Sequence, residues 1–291
     1  MSAEIRLVEV GPRDGLQNES AQVPTEAKIA FVDQLSAAGL EEIEVSSFVA
    51  PGWIPQLEDA EAVFAGITRR PGVRYTALVP NQRGLARALA ARVDGIAVFT
   101  AASETFARKN INATIAESIE RFRPVLADSP VPVRGYVSTA FHCPFEGRIA
   151  PEAVLRVTLA LLELGCREIS LGDTIGKATT DDVERLLDVV LPRCPADRLA
   201  LHLHDTFANA VANAVAGADR GIRVFDGSTG GIGGCPYAPG APGNVATEAL
   251  VHAFAGRTGV DRKALAAAAR TIRPFLTRGG AGSAPTGRSP S

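Results

Sequence analysis

Eight short apolar segments of the chain alternate with stretches of helical periodicity. This alternation is typical of a parallel sheet whose strands are joined by helices. Eight repeats within about 230 residues are enough to close such a sheet, so the pattern predicts an α/β protein with a (β/α)8 TIM barrel. The predicted strands are residues 5–10, 42–45, 74–79, 95–99, 133–139, 168–171, 199–204 and 223–225.

Helix start and stop signals frame most of the connections. Residues 101–112 form a polar connection without a clear helical pattern, and two extra helices follow the eighth strand. An open doubly wound sheet is the alternative fold, but the first strand–helix turn lacks the G-x-G-x-x-G sequence of that class. The predicted helices are residues 25–38, 57–67, 83–92, one ending at 124, then 152–164, 180–191, 207–218, 246–255 and 262–276.

Composition limits what the chain can be. With 46% apolar and only 5% aromatic residues, its core must consist mainly of aliphatic side chains. We predict one catalytic domain over residues 1–278, within the size range of a single barrel. Residues 279–291 are mostly Gly, Ser, Pro and Ala without periodicity, which predicts a disordered tail.

Charge and hydropathy argue against several partner classes. A formal net charge of −2 and a pI near 6.1, without a basic run, predict no nucleic-acid partner. No apolar segment approaches the ~20 residues that span a bilayer, which predicts no membrane partner. The first strand begins too early to leave room for a targeting peptide, so we expect a cytoplasmic protein. Its widely spaced cysteines indicate neither a zinc site nor a disulfide framework; they are Cys143, Cys166, Cys194 and Cys235.

Several charged residues follow predicted strands. Arg13 and Asp14 come directly after the first strand, Glu44 lies on the second and Asp173 follows the sixth. Taken alone, an adjacent Arg–Asp pair is more typical of an exposed ion pair that contributes about 0–1 kcal/mol. In a barrel, however, the carboxyl ends of all strands meet at one mouth, where catalytic residues lie.

Two of the four histidines, His202 and His204, lie two positions apart on the seventh strand. Side chains at this spacing point to the same side, about 6.6 Å apart. They form either a packed pair on a polar patch or two ligands of one ion. Asp14 and Asn244 can add oxygen ligands, and a mixed nitrogen and oxygen shell suits Mg²⁺ or Mn²⁺ without excluding Zn²⁺.

Residues 230–244 are too rich in glycine for an ordinary connection. They form either a flexible surface loop or a mobile lid that excludes water from a site. As a lid, they bring Cys235 to the substrate as an acid or base.

Seven motifs closely resemble those of 3-hydroxy-3-methylglutaryl-CoA lyases, metal-dependent barrels whose first strand ends in Arg-Asp. The resemblance runs from Leu7 to about Leu250. It implies metal-assisted retro-Claisen cleavage of an acyl-CoA substrate to acetyl-CoA and acetoacetate, with Mg²⁺ or Mn²⁺ and no organic cofactor, as in leucine degradation and ketone body metabolism. The motifs are Gly-Pro-Arg-Asp-Gly-Leu-Gln-Asn-Glu (11–19), Ser-Phe-Val-Ala-Pro (47–51), Lys-Asn-Ile-Asn (109–112), Arg-Gly-Tyr-Val-Ser (134–138), Ser-Leu-Gly-Asp-Thr-Ile-Gly (170–176), His-Leu-His-Asp-Thr (202–206) and Gly-Gly-Cys-Pro-Tyr-Ala (233–238).

The resemblance also assigns roles to residues. It makes Asp14, His202, His204 and Asn244 the metal ligands. The catalytic residues that it implies are Arg13, Glu44, Asp173, His202 and Cys235, and the substrate-binding residues are Arg13, Gln17, Ser47, Asn110 and Ser170. One departure, Phe141-His142, stands where many members have smaller residues, and it bears on which acyl group is accepted.

Three alternatives remain at this point. The first is a Claisen condensing transferase of the same superfamily, although such enzymes usually carry an additional C-terminal region. The second is a lyase for a related 3-hydroxyacyl-CoA, and the third is a barrel that binds without catalysis. We also expect a homodimer, since the exposed helices of such barrels often pair.

Overall fold

The structure is a computed structural model that describes residues 4–50, 52–235 and 238–276, without the side chains of 234, 235 and 238–242. The predicted disordered tail, 279–291, lies outside the described residues. Within them, no helix is both long and apolar enough to cross a membrane.

Eight parallel strands close into a barrel in the order of the sequence, with β1 paired to both β2 and β8. The predicted TIM barrel is therefore confirmed. Because each strand is followed by a helix that packs outside the sheet, all eight carboxyl ends face the same mouth. The strands are β1 Arg6–Glu9, β2 Glu42–Ser47, β3 Arg74–Leu78, β4 Gly95–Ala101, β5 Val133–Ser138, β6 Glu168–Asp173, β7 Leu199–Leu203 and β8 Val224–Gly227.

The helices follow the predicted periodicity, with shifts of a few residues at their ends. They are α1 Thr25–Ala37, α2 Ala60–Gly66, α3 Gln82–Ala90, α4 Glu104–Ile111, α5 Ile115–Asp128, α6 Pro151–Leu164, α7 Thr180–Val190, α8 Ala210–Asp219, α9 Thr247–Ala253 and α10 Arg262–Ile272.

Helix α4 corrects the expectation of a polar connection over 101–112. Its first turn is capped by Ser103, whose Oγ accepts a hydrogen bond from the backbone of Phe106 at 3.0 Å. Only Phe106 and Ala107 of this helix are buried, so its apolar face is too short to be seen in the sequence. The helix ends at Asn112, whose φ of 48° is left-handed.

Most of the apolar core lies between the strands and the surrounding helices, whereas the barrel interior holds charged side chains. Arg6 forms ion pairs with Glu42 and Glu168. Arg134 lies 3.0 Å from Glu168 through its Nε. Buried charges are tolerated only when paired, and Glu168 joins Arg6 and Arg134 into one ionic network.

Candidate active site

The chain leaves β1 through a tight π-helical turn, Gly11–Gly15. The carbonyl of Val10 accepts hydrogen bonds from the amides of Arg13, Asp14 and Gly15 at 3.2, 2.7 and 3.1 Å. A Cβ on Gly15 would lie 2.9 Å from the hydroxyl of Ser228, so only glycine lets the turn pack this closely against the end of β8. The turn therefore holds the Arg–Asp pair rigidly over the mouth.

Glu9, at the end of β1, is fully buried beneath this turn. Its carboxylate accepts hydrogen bonds from the backbone of Gly11 at 2.9 Å and of Thr229 at 2.8 Å. The hydroxyls of Thr229 and Thr247 donate to it at 2.6 and 2.7 Å. Burial raises the pKa of Glu9 to about 7 although these four donors favour the charged form. The residue ties the Arg–Asp turn to both flanks of the glycine-rich segment.

Arg13 is buried and held on three sides, so it is not part of a solvated surface pair. Its Nε donates to Glu44, and one of its terminal nitrogens donates to Asp14. The guanidinium lies 5.6 Å from the centre of the Tyr136 ring. Burial alone would lower the pKa of Arg13, but the charges of Glu44 and Asp14 outweigh it and raise that pKa.

His202 and His204 extend from β7 toward Asp14. Their Nε2 atoms are 3.3 Å apart, and Nε2 of His202 lies 3.9 Å from Oδ2 of Asp14. Ligand atoms of all three residues lie within 4.8 Å of one another. The interpretation of the His-x-His sequence as a converging pair is thus supported over a pair on a polar patch.

Charge is unevenly distributed over this cluster. Burial would raise the pKa of Asp14, but the positive charge of Arg13, followed by smaller interactions with the histidines, lowers it. Burial and the neighbouring His202 lower the pKa of His204 to about 4, so its imidazole is neutral. Burial opposes the charged form of His202, yet its hydrogen bond to Asp226 and the charge of Asp14 raise its pKa.

Asn244 joins the cluster from the far end of the glycine-rich segment. It pairs with His204 as an isolated antiparallel bridge, and its Nδ2 donates to Asp14 at 2.8 Å. The amide nitrogen, rather than the oxygen, faces the carboxylate. A half-turn of the amide exchanges two groups of nearly equal shape, so the same position can offer an oxygen ligand.

Asp226 on β8 is the buried partner of His202, and the sequence analysis missed it. Its carboxylate lies 3.2 Å from His202 Nδ1 and accepts hydrogen bonds from Arg134 at 2.7 Å and Ser170 at 2.9 Å. A histidine that gives its Nδ1 proton to a carboxylate presents its Nε2 lone pair to a metal. The only sequence signal was an acidic residue at the end of a strand, in Asp226-Gly227-Ser228.

A hydrogen-bonded chain links the two halves of the site. The hydroxyl of Tyr136 donates to Glu44 at 2.5 Å and accepts a hydrogen bond from Arg134 at 3.2 Å. Glu44 holds Arg13, and Arg134 holds Asp226, the partner of His202. The positions of Arg13 and His202 are therefore set by one buried network.

The donor set fits a divalent cation. Asp14 supplies a carboxylate oxygen and the histidines two nitrogens that face one another. Nδ1 of His204 is buried and is among the few such atoms of the described residues without a hydrogen-bond partner. The side-chain amide of Asn244 lies beside Asp14. Mixed nitrogen and oxygen ligation of this kind is typical of divalent-metal sites.

A cavity of about 250 Å³ opens above the cluster. Arg13, Asp14, His202 and His204 lie on its floor, and the predicted substrate residues Gln17 and Asn110 are among its walls. The remaining lining residues are Asn18, Val49, Trp53, Ile54, Leu78, Phe99, Phe106, Tyr136, Val137, Ser138, Gly172 and Thr174.

Other predicted residues lie behind this wall. Ser170 is buried and donates to Asp226, while Ser47 is buried and donates to a backbone carbonyl at 3.3 Å. Asp173 accepts hydrogen bonds from the amides of Lys177 and Ala178 at 3.1 and 2.9 Å, and burial raises its pKa to about 6. None of the three belongs to the described cavity lining.

The Phe141-His142 departure lies away from the cavity. Phe141 packs in the core and His142 is buried in a short hairpin, 142–143 with 147–148, so neither lines the cavity among the described residues. The side chain of Cys235 lies outside the described residues. The other cysteines, Cys143, Cys166 and Cys194, are buried free thiols.

Comparison with known proteins agrees with this arrangement. The family model described as HMGL-like matches residues 4–272. A Pseudomonas aeruginosa protein named 3-hydroxy-3-isohexenylglutaryl-CoA/hydroxy-methylglutaryl-CoA lyase is 50% identical over 279 residues, which cover 94% of this chain and 93% of that protein. The chain belongs to the HMGL-like family.

Solved structures of this family share the fold. The HMG-CoA lyase of Brucella melitensis superposes with a TM-score of 0.92 at 49% identity, covering 94% of this chain and 99% of that one. An HMG-CoA lyase from Acinetobacter baumannii, in complex with coenzyme A and 3-methylmalate, has a TM-score of 0.89 at 39% identity, covering 95% and 92%. The resemblance seen in the motifs is therefore confirmed over nearly the whole chain.

Proposed function

We propose that this protein cleaves 3-hydroxy-3-methylglutaryl-CoA to acetyl-CoA and acetoacetate. One observation carries the proposal: a buried, preorganised arginine and a cluster of two histidines and a carboxylate face the same cavity. The names of the relatives support it, since those about 50% identical are called lyases of this substrate. The complex of the Acinetobacter baumannii lyase with coenzyme A supports an acyl-CoA substrate.

The reaction removes a proton from the C3 hydroxyl and later adds a proton to C2. Loss of the proton on the C3 hydroxyl lets the C2–C3 bond break, which turns C3 into the ketone of acetoacetate. The bonding electrons pass to C2 as the enolate of acetyl-CoA, and a proton then adds to C2. A divalent cation held by Asp14, His202, His204 and Asn244 supplies Lewis-acid chemistry, which lowers the pKa of a hydroxyl. We propose Mg²⁺ or Mn²⁺, because oxygen donors accompany the histidines.

Arg13 is placed to stabilise the charge that develops on the thioester oxygen. Because Glu44 and Asp14 already orient its guanidinium, little reorganisation accompanies the reaction. Arg13 also lines the reaction cavity. Removing one preorganised donor of this kind typically costs about 2.7–4 kcal/mol of transition-state stabilisation.

Proton transfer involves the residues around this floor. His202, oriented by Asp226, is the proposed relay for the hydroxyl proton, which its Nε2 can accept only while that atom is not bound to the ion. Asp173 has a pKa of about 6, suitable for acid–base chemistry near neutral pH, but its hydrogen bonds direct it toward the backbone of the following loop. Cys235, on the glycine-rich segment, remains the proposed donor to C2.

One assay decides between this function and its nearest alternative. Purified protein with Mn²⁺ and 3-hydroxy-3-methylglutaryl-CoA should release acetoacetate and acetyl-CoA in equal amounts. A Claisen condensing transferase would instead release free coenzyme A from acetyl-CoA and a 2-oxo acid. Product from the second mixture and none from the first would refute the proposed lyase.

The oligomeric state and the cellular location of the protein are separate from its reaction. We propose a homodimer, in line with the exposed outer helices of the barrel, and light scattering of the purified protein tests it. We also propose that the protein works in the cytoplasm, in leucine breakdown and ketone body formation. Cell fractionation with an antibody to the protein tests that location.

A further inference from the structure

One wall of the reaction cavity is built by two loops rather than by strands. We call residues 16–24, which follow the Arg–Asp turn, the β1 loop, and residues 52–59, which precede α2, the β2 loop. Gln17 and Asn18 of the β1 loop and Trp53 and Ile54 of the β2 loop line the cavity. The shape of this wall therefore depends on how the two loops are held together.

The β1 loop has little packing of its own. Residues 19–24 belong to no helix or strand, and from residue 17 to residue 24 only Val23 is buried. A backbone amide that is shielded from water needs a hydrogen-bond partner. The amide of Val23 has its partner in a side chain of the β2 loop, Gln56.

Gln56 is only 4% exposed, and its side chain makes three hydrogen bonds to the backbone of the β1 loop. Its Oε1 accepts from the amide of Val23 at 2.9 Å. Its Nε2 donates to the carbonyls of Ala21 at 2.7 Å and of Glu19 at 3.2 Å. One side-chain amide thus satisfies three backbone groups within five residues of the loop.

The β2 loop is in turn fixed to helix α1. The buried ammonium of Lys28, on α1, donates to the backbone carbonyl of Gln56 and to Asp59. The hydroxyl of Thr25 donates to the other oxygen of Asp59 at 2.7 Å. The main chain of Gln56 is therefore held by α1, while its side chain holds the β1 loop.

We propose that Gln56 is a positioning residue for substrate binding. It is absent from the described cavity lining, so it acts through the β1 loop, whose Gln17 and Asn18 it keeps at the cavity wall. A binding site that is formed in only a fraction of the molecules has an apparent affinity reduced by that fraction. The inference rests on the proposed lyase function for its choice of substrate, 3-hydroxy-3-methylglutaryl-CoA.

The kinetic test compares Gln56→Met, which keeps nearly the same size without an amide, with Gln34→Met. Gln34 accepts a hydrogen bond from Thr271 at 2.8 Å and joins α1 to α10, outside the described cavity lining. A neutral hydrogen bond shifts an equilibrium by roughly 2- to 12-fold, and Gln56→Met removes three. It should raise KM at least fivefold with kcat within twofold of wild type, whereas Gln34→Met should change neither.

Hydrogen exchange measured by mass spectrometry gives a readout that needs no turnover. Without substrate, the amides of the β1 loop should exchange faster in Gln56→Met than in wild type, because the amide of Val23 loses its acceptor. Gln34→Met should leave the exchange of this loop unchanged.

Gln56→Glu tests the hydrogen bonds themselves and replaces Gln56→Met if that variant does not fold. A carboxylate still accepts from Val23 but cannot donate to the carbonyls of Ala21 and Glu19. The protonated acid can donate to one of them, and burial favours that form. KM relative to wild type should therefore be raised at pH 8 and closer to one at pH 6; an equal ratio at both pH values would contradict a role of these bonds in binding.

The other outcomes separate the positioning role from the reaction. Unchanged KM in Gln56→Met, with or without faster exchange, refutes the role in substrate binding, as does a loss confined to kcat. Faster exchange with a raised KM supports it. Failure of wild type to cleave the substrate refutes the proposed function, while the exchange measurement still decides whether Gln56 holds the β1 loop.

Discussion

Replacing Asp226 by Asn tests how His202 is oriented. The carboxylate lies 3.2 Å from His202 Nδ1, inside the barrel wall and away from the cavity. Asn keeps the size of the side chain but removes its charge. The imidazole then loses the charged partner that favours a proton on Nδ1 and so leaves Nε2 free for a metal. We therefore expect weaker metal binding without a change in any residue that touches the metal.

The size of the expected loss in metal affinity follows from the contact of Asp226 with His202. Loss of a carboxylate partner behind a ligand histidine typically weakens metal affinity 10–100-fold, or about 1.4–2.7 kcal/mol. Since Asn can still accept one hydrogen bond, we expect the lower end of that range. The carboxylate also raises the pKa of His202, so protons compete less in the variant. The loss of affinity should therefore be larger at pH 8 than at pH 6.

Titration calorimetry of metal-free protein with Mn²⁺ measures this directly. Ser170→Ala is the matched control, because it removes a donor to the same carboxylate at 2.9 Å and leaves the charge in place. We expect it to bind Mn²⁺ within about threefold of wild type, since Asp226 keeps both its charge and its contact with Nδ1 of His202. Wild-type affinity in Asp226→Asn at both pH values would refute the argument.

Three further substitutions test other parts of the site. Arg13→Gln should lower kcat about 100- to 1000-fold with little change in KM; steady-state kinetics that show a raised KM and intact kcat would exclude a transition-state role. His204→Ala should weaken Mn²⁺ binding in calorimetry, and unchanged affinity would remove His204 from the ligands. Glu9→Gln should change the pH dependence of stability. The pKa of Glu9 is raised from 4.5 to about 7, so between these pH values the native state keeps a proton that the unfolded chain releases. The free energy of unfolding therefore falls as pH rises from about 4.5 to 7, by up to about 1.4 kcal/mol per pH unit. Urea unfolding should show that slope in wild type and a smaller one in the variant; equal slopes would contradict the raised pKa.

Much of the fold could be predicted because its signals are local. Strands, helices and their stop residues repeat along the chain, and the number of repeats alone indicated a closed barrel. The His-x-His spacing likewise placed His202 and His204 on one side of a strand. Helix α4 was missed since it buries little and depends on its Ser103 cap and its contacts with the barrel.

The sequence by itself determined which residues stand at the strand ends: Arg13 and Asp14 after β1, the histidines on β7, and Asn244 beyond β8. Only the tertiary structure decided what lies behind them. Asp226 and Ser170 are far apart in the chain and meet inside the barrel because β6, β7 and β8 are neighbours in a curved sheet that turns both side chains inward. Whether a polar strand residue faces the cavity or a buried partner depends on how neighbouring strands are placed in the curved sheet, which no local sequence pattern records. For this reason, the carboxylate that orients His202 appeared only in the folded structure.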